Sequence, residues 1–202
     1  VVARLAECVS PSLDHASRQM RTLHLWIFAA LLAATSAQAS EAPPLQSIPA
    51  LDVQRYMGRW YEIAKFPNRF QRKCVADTSA EYKLLEDKRI RVINRCKQSD
   101  GKIEEAVGIA RQPGDSPSQL KVRFAPAWLS FLPMVWGDYW VIDLDADYQL
   151  AAVSEPTREY LWILSRTPRV EPDAYVALLR RLEAKGLDTA KLQMSLQTEA
   201  IR

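Results

Sequence analysis

Arg89-Ile90-Arg91-Val92-Ile93-Asn94-Arg95 sets Ile90, Val92 and Asn94 on one side of an extended chain and three arginines on the other. Leu120-Lys121-Val122-Arg123-Phe124 repeats the alternation. A period of two is that of a strand with one buried and one wet face. Outward from these stretches, similar runs recur near residues 59–66, 75–84, 89–97, 102–111, 119–125, 138–144, 148–154 and 159–166. Short polar connections separate them, among them Glu86-Asp87-Lys88, Ser99-Asp100-Gly101, Gly114-Asp115-Ser116-Pro117 and Asp145-Ala146-Asp147. Short strands at this regular spacing predict an all-β meander, sandwich or barrel. After Pro168 the period changes. Tyr175, Leu178, Leu179 and Leu182 stand at i, i+3, i+4 and i+7, with Pro172 early and Gly186 just past the end. One amphipathic helix therefore closes the fold.

The chain has 202 residues, 48% hydrophobic and 25% charged, which fits one globular domain. A net charge of +3, with basic and acidic residues interleaved, gives no electrostatic footprint for nucleic acid. The apolar run Leu25-Trp26-Ile27-Phe28-Ala29-Ala30-Leu31-Leu32-Ala33-Ala34 follows Arg21 and His24 and ends in Ala37-Gln38-Ala39. That order is the signature of a secretory signal peptide, with cleavage expected before Ser40. Residues 1–39 are thus read as a leader, of which 1–19, upstream of Met20, are either an over-extended start or an unusual n-region. Residues 40–50, rich in proline and small side chains, form a tether to a domain over 51–202. No cysteine stands directly after the apolar run, so a periplasmic or secreted protein is expected, with outer-membrane association as the alternative.

Gly58-Arg59-Trp60-Tyr61-Glu62-Ile63, preceded by Leu51-Asp52-Val53-Gln54-Arg55-Tyr56, resembles the opening motif of the lipocalins and the short helical turn that plugs their closed end. Asp145 and Tyr148, between the sixth and seventh runs, are similar to the family's second motif, with one extra residue of spacing. Arg166, in Leu161-Trp162-Ile163-Leu164-Ser165-Arg166-Thr167-Pro168, matches the third, in a stretch very like that of bacterial outer-membrane lipocalins and apolipoprotein D. The resemblance covers roughly residues 48–198. It implies an eight-stranded antiparallel up-and-down β-barrel with the helix packed outside. Gly58, Trp60, Asp145, Tyr148 and Arg166 then act in closure, with Arg166 lying across the Trp60 ring.

Alternate residues of such a barrel point inward, so Tyr82, then Ile90, Val92 and Asn94, then Leu120, Val122 and Phe124 face the lumen. The resemblance implies a pocket at Tyr82, Asn94, Phe124, Trp140, Trp162 and Leu164 for a fatty acid, lysophospholipid or similar apolar ligand, with no cofactor and no metal. The same aromatics, without a ligand, would fill the barrel as a packed core. Residues 125–136 are too apolar for a wet loop: they gate the pocket, touch a membrane, or pack back over the barrel wall. Arg69, Arg72 and Lys73 lie at the same mouth, where they attract an anionic headgroup or leaflet or are simply solvated.

Cys74 begins the second strand and Cys96 ends the third, so a hairpin between them brings the two approximately opposite, as a disulfide. The alternative is a reactive Cys74 thiol, as in a lipocalin-type isomerase. His15 and His24, the only histidines, fall in the leader, so no cysteine–histidine pair and no catalytic triad is expected after its removal. The carboxylates Glu62, Asp138, Asp143, Asp145 and Asp147 are explained by strand ends and turns. The expected function is a non-enzymatic lipid carrier, a monomer or weak dimer, serving envelope maintenance. The alternatives are the isomerase and a filled barrel used for protein contact.

Overall fold

The computed structural model describes residues 43–198. The leader and cleavage site read over 1–39 lie outside the described residues. After a single helical turn, α1 (Val53–Tyr56), come eight strands: β1 (Gly58–Lys65), β2 (Cys74–Leu84), β3 (Ile90–Gln98), β4 (Ile103–Arg111), β5 (Gln119–Arg123), β6 (Gly137–Leu144), β7 (Leu150–Ser154) and β8 (Leu161–Ser165). Each pairs antiparallel with the next, β8 pairs with β1, and β1 pairs with β2, so the sheet closes on itself. The expected up-and-down barrel is the observed one. Helix α2 (Pro172–Ala184) follows, then a two-residue strand β9 (Gln193–Met194).

Closure leaves two apolar clusters. Trp60, Tyr82, Ile90, Val92, Leu120, Val141, Val153 and Leu164 are buried together with Leu51 and Tyr56 of the N-terminal plug, which identifies the barrel interior. Ile142, Ala152, Leu161 and Ile163 are buried on the opposite face of the same strands, against Leu178 and Leu182 of α2. The helix is anchored by Arg181, whose Nε and Nη2 donate to the Asp143 carboxylate at 2.9 and 2.8 Å. Residues 43–50 run along the wall: Leu45 is buried in the outer cluster and the Ile48 amide donates to the Val141 carbonyl at 2.9 Å.

The barrel is not evenly closed. β1 and β2 pair only over Gly58–Tyr61 and Ser79–Tyr82, and beyond that they separate. The C-terminal segment fills the gap. Ala64 and Lys65 pair with Met194 and Gln193, the Asp77 amide donates to the Leu196 carbonyl at 2.7 Å, and the Gln197 amide donates to the Glu62 and Thr78 carbonyls at 2.8 and 2.9 Å. Unpaired strand edges buried against another element require such partners. No period-2 run marked this insertion, because it is two residues long.

Cys74 and Cys96 form the expected disulfide, with Cα atoms 5.5 Å apart and a sequence separation of 22. It ties the start of β2 to the end of β3 at the end where these strands are least supported by β1. In the chain-entropy account a loop of that length contributes about 3 kcal/mol. The Cys74→Ala/Cys96→Ala variant is expected to lose that amount, read as a lowered urea midpoint against the oxidised protein. An unchanged midpoint would show that the hairpin is held without the crosslink.

Candidate functional site

The barrel has a sealed end and an open end, and the three sequence motifs meet at the sealed one. Trp60 is 0% exposed, its indole N–H donates to the Tyr56 carbonyl at 2.9 Å, and the Arg166 guanidinium lies 4.0 Å over its ring. The same guanidinium donates to the carbonyls of Arg59 at 2.9 Å and Arg55 at 2.7 Å, so it satisfies the end of α1 while covering the indole. Gly58 has a φ of +93°, and a Cβ there would stand 3.4 Å from Arg166 Nη1, so the residue combines a left-handed backbone with close approach. The Asp145 carboxylate accepts the amides of Gln149 and Leu150 at 2.7 and 2.6 Å, which holds the β6–β7 turn. Tyr148 in that turn accepts the Asp52 amide on its hydroxyl at 2.9 Å, clamping the plug to the barrel.

Above the plug lies a polar floor. The Tyr56 and Tyr139 hydroxyls are 2.8 Å apart, and the Tyr139 and Tyr82 hydroxyls 2.9 Å. Burial pushes all three phenols up, Tyr82 to about 12 and Tyr56 and Tyr139 well above their ordinary value, because a phenolate there would lose its hydration. Like-charge repulsion between the phenolates adds to this for Tyr56 and Tyr139. Three neutral hydroxyls joined by two hydrogen bonds leave one hydrogen over, together with several acceptor lone pairs.

Higher up, register decides what faces the lumen. Directly opposed residues share a face. Asn94 opposes Ala80 and Ala106, Val92 opposes Tyr82 and Gly108, and Ile90 opposes Leu84 and Ala110. The inward side of β4 therefore carries only Ala106, Gly108 and Ala110 over this stretch, which leaves width in the lumen. At Gly108 a Cβ would come within 2.8 Å of the Phe124 ring, so Phe124 leans over the glycine from across the wall. Asn94 is half-buried and Ala106 exposed, whereas Tyr56 and Trp60 are sealed, so solvent enters from one end.

Of the pocket residues expected from the sequence, Tyr82, Asn94, Trp162 and Leu164 lie on the lumenal face, and Phe124 stands at its rim. Trp140 does not belong with them. It packs in the outer cluster against α2, because Tyr139 and Val141 are the inward residues of β6 and Trp140 is one step out of phase. Tyr139 carries no sequence signal for the same reason: both faces of β6 are buried, Val141 and Ile142 alike at 0% exposure, so hydrophobicity shows no alternation there. The signal that finds Tyr139 is parity counted back from Val141.

The mouth is formed by the connections at residues 66–73, 99–102, 124–136 and 155–160. Tyr160 stacks on Trp162 at 5.8 Å between ring centres, and Phe70 packs against Tyr160 at 5.6 Å. The Trp162 N–H donates to Gln71 Oε1 at 3.1 Å, linking the first connection to the lumen. Within 124–136 the loop divides. Trp136 folds back outside the wall, 4.2 Å from the Arg111 guanidinium and 5.2 Å from that of Arg123. Trp128, Phe131 and Met134 point away from everything described, 72%, 74% and 85% exposed. Among the described residues no group of three or more His, Cys, Asp or Glu is placed to hold a metal ion.

Comparison with known proteins agrees with this anatomy. The family model of a lipocalin-like domain matches residues 51–197. Temperature-induced lipocalin-1 of Arabidopsis thaliana is 42% identical over 163 residues, covering 79% of this chain and 87% of that one. The outer membrane lipoprotein Blc of Escherichia coli K12 is 35% identical over 175 residues, covering 85% and 95%. Among solved structures, insecticyanin from the tobacco hornworm Manduca sexta superposes with a TM-score of 0.60 at 20% identity, over 77% of this chain and 85% of that one, a likeness of fold. The family match, together with a barrel sealed by Trp60 and Arg166 at one end and open at the other, establishes that this chain belongs to the lipocalin family.

Proposed function

We propose that the protein binds a single-chain lipid, a fatty acid or lysophospholipid, in the barrel lumen and carries or stores it in the bacterial envelope. The observation that carries this reading is the one-ended lumen: sealed below by Trp60 and Arg166, lined by Tyr82, Asn94, Leu164 and Trp162, and rimmed by Phe124. Each buried methylene contributes roughly 0.8 kcal/mol, so ten of them outweigh association costs enough for micromolar binding. The name of the outer membrane lipoprotein relative supports a place at the envelope, periplasmic or membrane-associated. The isomerase alternative needs a free Cys74 thiol, and that sulfur is held in the disulfide.

Trp128, Phe131 and Met134 favour a further part of the same reading. Three large apolar side chains together at the mouth have little reason to face water. They touch the bilayer transiently, and lipid passes to the mouth from there.

The test is a tryptophan-fluorescence titration of delipidated protein with palmitate and with lysophosphatidylcholine. Saturable quenching at micromolar lipid is expected. Trp162→Ala weakens it about tenfold, equivalent to about 1.4 kcal/mol of lost contact, and Trp140→Ala, outside the barrel, leaves the affinity unchanged. Trp128→Ser/Phe131→Ser keeps binding of monomeric lipid but slows uptake from vesicles. Absence of saturable binding to either lipid overturns the carrier, and equal effects of the Trp162 and Trp140 substitutions overturn the lumenal location.

A further inference from the structure

Beside the lumen, where β1 and β2 part, the surface carries an open cleft of about 490 Å³, lined in part by Lys65, Asn68, Arg69, Gln71, Arg72 and Gln193. No carboxylate lines it. Lys65 is matched by the buried Glu62 carboxylate at 2.9 Å, but Arg69 and Arg72 form no ion pair among the described residues. The cavity thus carries two uncompensated guanidinium groups, with a third cation, Lys73, on the same connection. Guanidinium is the side chain that takes phosphate oxygens two at a time.

The cleft adjoins the lumenal face through Lys65 and Gln71. Lys65 opposes Trp162 on one side and Gln193 on the other, so these three side chains share a face of the sheet, and Trp162 belongs to the interior cluster. Gln71 stands at the boundary. Its Oε1 accepts the Trp162 N–H at 3.1 Å and the Asn68 amide at 2.7 Å, while its own amide donates to Glu62 at 2.5 Å. This chain of bonds holds the 66–73 connection with its arginines beside the point where an acyl chain leaves the lumen past Trp162.

We propose that this cavity is a headgroup site for an anionic phosphate, so that the protein selects lysolipids bearing a negatively charged phosphate over neutral ones of the same chain length. The proposal rests on the lumenal-carrier reading and adds the ligand's polar end to it. Zwitterionic and neutral lipids still enter the lumen; the phosphate without opposing choline or ethanolamine charge gains most from Arg69 and Arg72.

The experiment compares 1-palmitoyl lysophosphatidate with 1-palmitoylglycerol, which differ only in the phosphate, in the wild type and in Arg69→Gln/Arg72→Gln. Both arginines are exposed, so the variant folds. The wild type is expected to prefer lysophosphatidate about tenfold at low salt, the preference falling as salt is raised. The variant should lose the preference while its affinity for palmitoylglycerol stays within about twofold of the wild type. Glycerol 3-phosphate, offered as a competitor, should displace neither lipid at micromolar concentration. A preference that survives in the variant, or is absent from the wild type, overturns the headgroup site and leaves the carrier standing. Displacement by glycerol 3-phosphate as effective as that by lysophosphatidate overturns the assignment to a lipid headgroup in favour of free phosphate. Failure of both lipids to bind overturns the carrier reading and this site with it.

Discussion

Above pH 10 the protein is expected to unfold in a single steep step, driven by the three tyrosines of the barrel floor. Tyr56 and Tyr82 are buried, Tyr139 is half-buried against the interior cluster, and the three are joined hydroxyl to hydroxyl; desolvation holds their protons on, to about pH 12 for Tyr82 and well above the ordinary value for the other two. In the unfolded chain a tyrosine ionises near pH 10. The folded-state values are raised, so the neutral phenols contribute their full stability below pH 10. As the pH climbs past 10 the unfolded chain releases protons that the native protein retains, and stability falls. Each such tyrosine removes about 1.4 kcal/mol for every pH unit, and three acting together exhaust an ordinary stability of roughly 5–15 kcal/mol within a few units. Phenolate absorbance followed beside near-ultraviolet circular dichroism checks this. Three of the seven tyrosines should ionise only in the step that destroys the tertiary signal. Smooth ionisation of all seven around pH 10 in a protein that stays folded would refute the sealed floor.

The second large effect is expected from Trp60→Ala. The indole is fully buried, 4.9 Å from the Tyr56 ring and 4.0 Å under the Arg166 guanidinium. Removing it leaves a void at the junction of plug and barrel, and large-to-small changes of this kind cost about 3–5 kcal/mol. The loss also strips the guanidinium of its ring, a contact of roughly 1 kcal/mol. For a domain of this size the melting temperature falls by roughly 6–20 °C. Arg59→Ala, on the exposed neighbour whose side chain makes no part of the plug, should change stability by less than about 0.5 kcal/mol. If the two variants melt together, Trp60 is not the closing element and the sealed end must be held by α1 alone.

Much of this molecule was legible before any coordinates. The eight runs of period two fall on the eight strands, and the 3.6-residue spacing of Leu178 and Leu182 falls on the face of α2 that packs on the barrel. Both follow from the same circumstance: each element buries one face and wets the other, so hydrophobicity alternates with its own geometry. The parity of β3 and β5 is equally plain and sets Asn94 and Phe124 on the lumenal side, whereas Trp162 and Leu164 of β8 are placed there by the family resemblance alone. β6 broke the rule because α2 covers its outer face. With Tyr139, Trp140, Val141 and Ile142 all shielded, the choice of Trp140 for the pocket had no pattern to correct it.

How the residues most informative about ligand chemistry come together is not legible in the sequence. The hydroxyl chain joins Tyr56 of the plug to Tyr82 of β2 and Tyr139 of β6, positions up to 83 residues apart that only closure of the barrel brings within 2.8 Å. The sequence marks Arg69 and Arg72 as charges at the mouth, solvated or facing an anionic headgroup, but the gap between β1 and β2 that sets a cleft beside them exists only in the folded barrel. The sequence by itself determined the strands, the helix and the disulfide partners, since these depend on local periodicity and on the place of Cys74 and Cys96 at the ends of one hairpin; the sealing motif was carried by the family resemblance. Tertiary structure alone decided which side chains share the floor and the rim, because that depends on strand register, on a bulge in β6 between Val141 and Asp143, and on a C-terminal segment that fills a gap no local pattern announces.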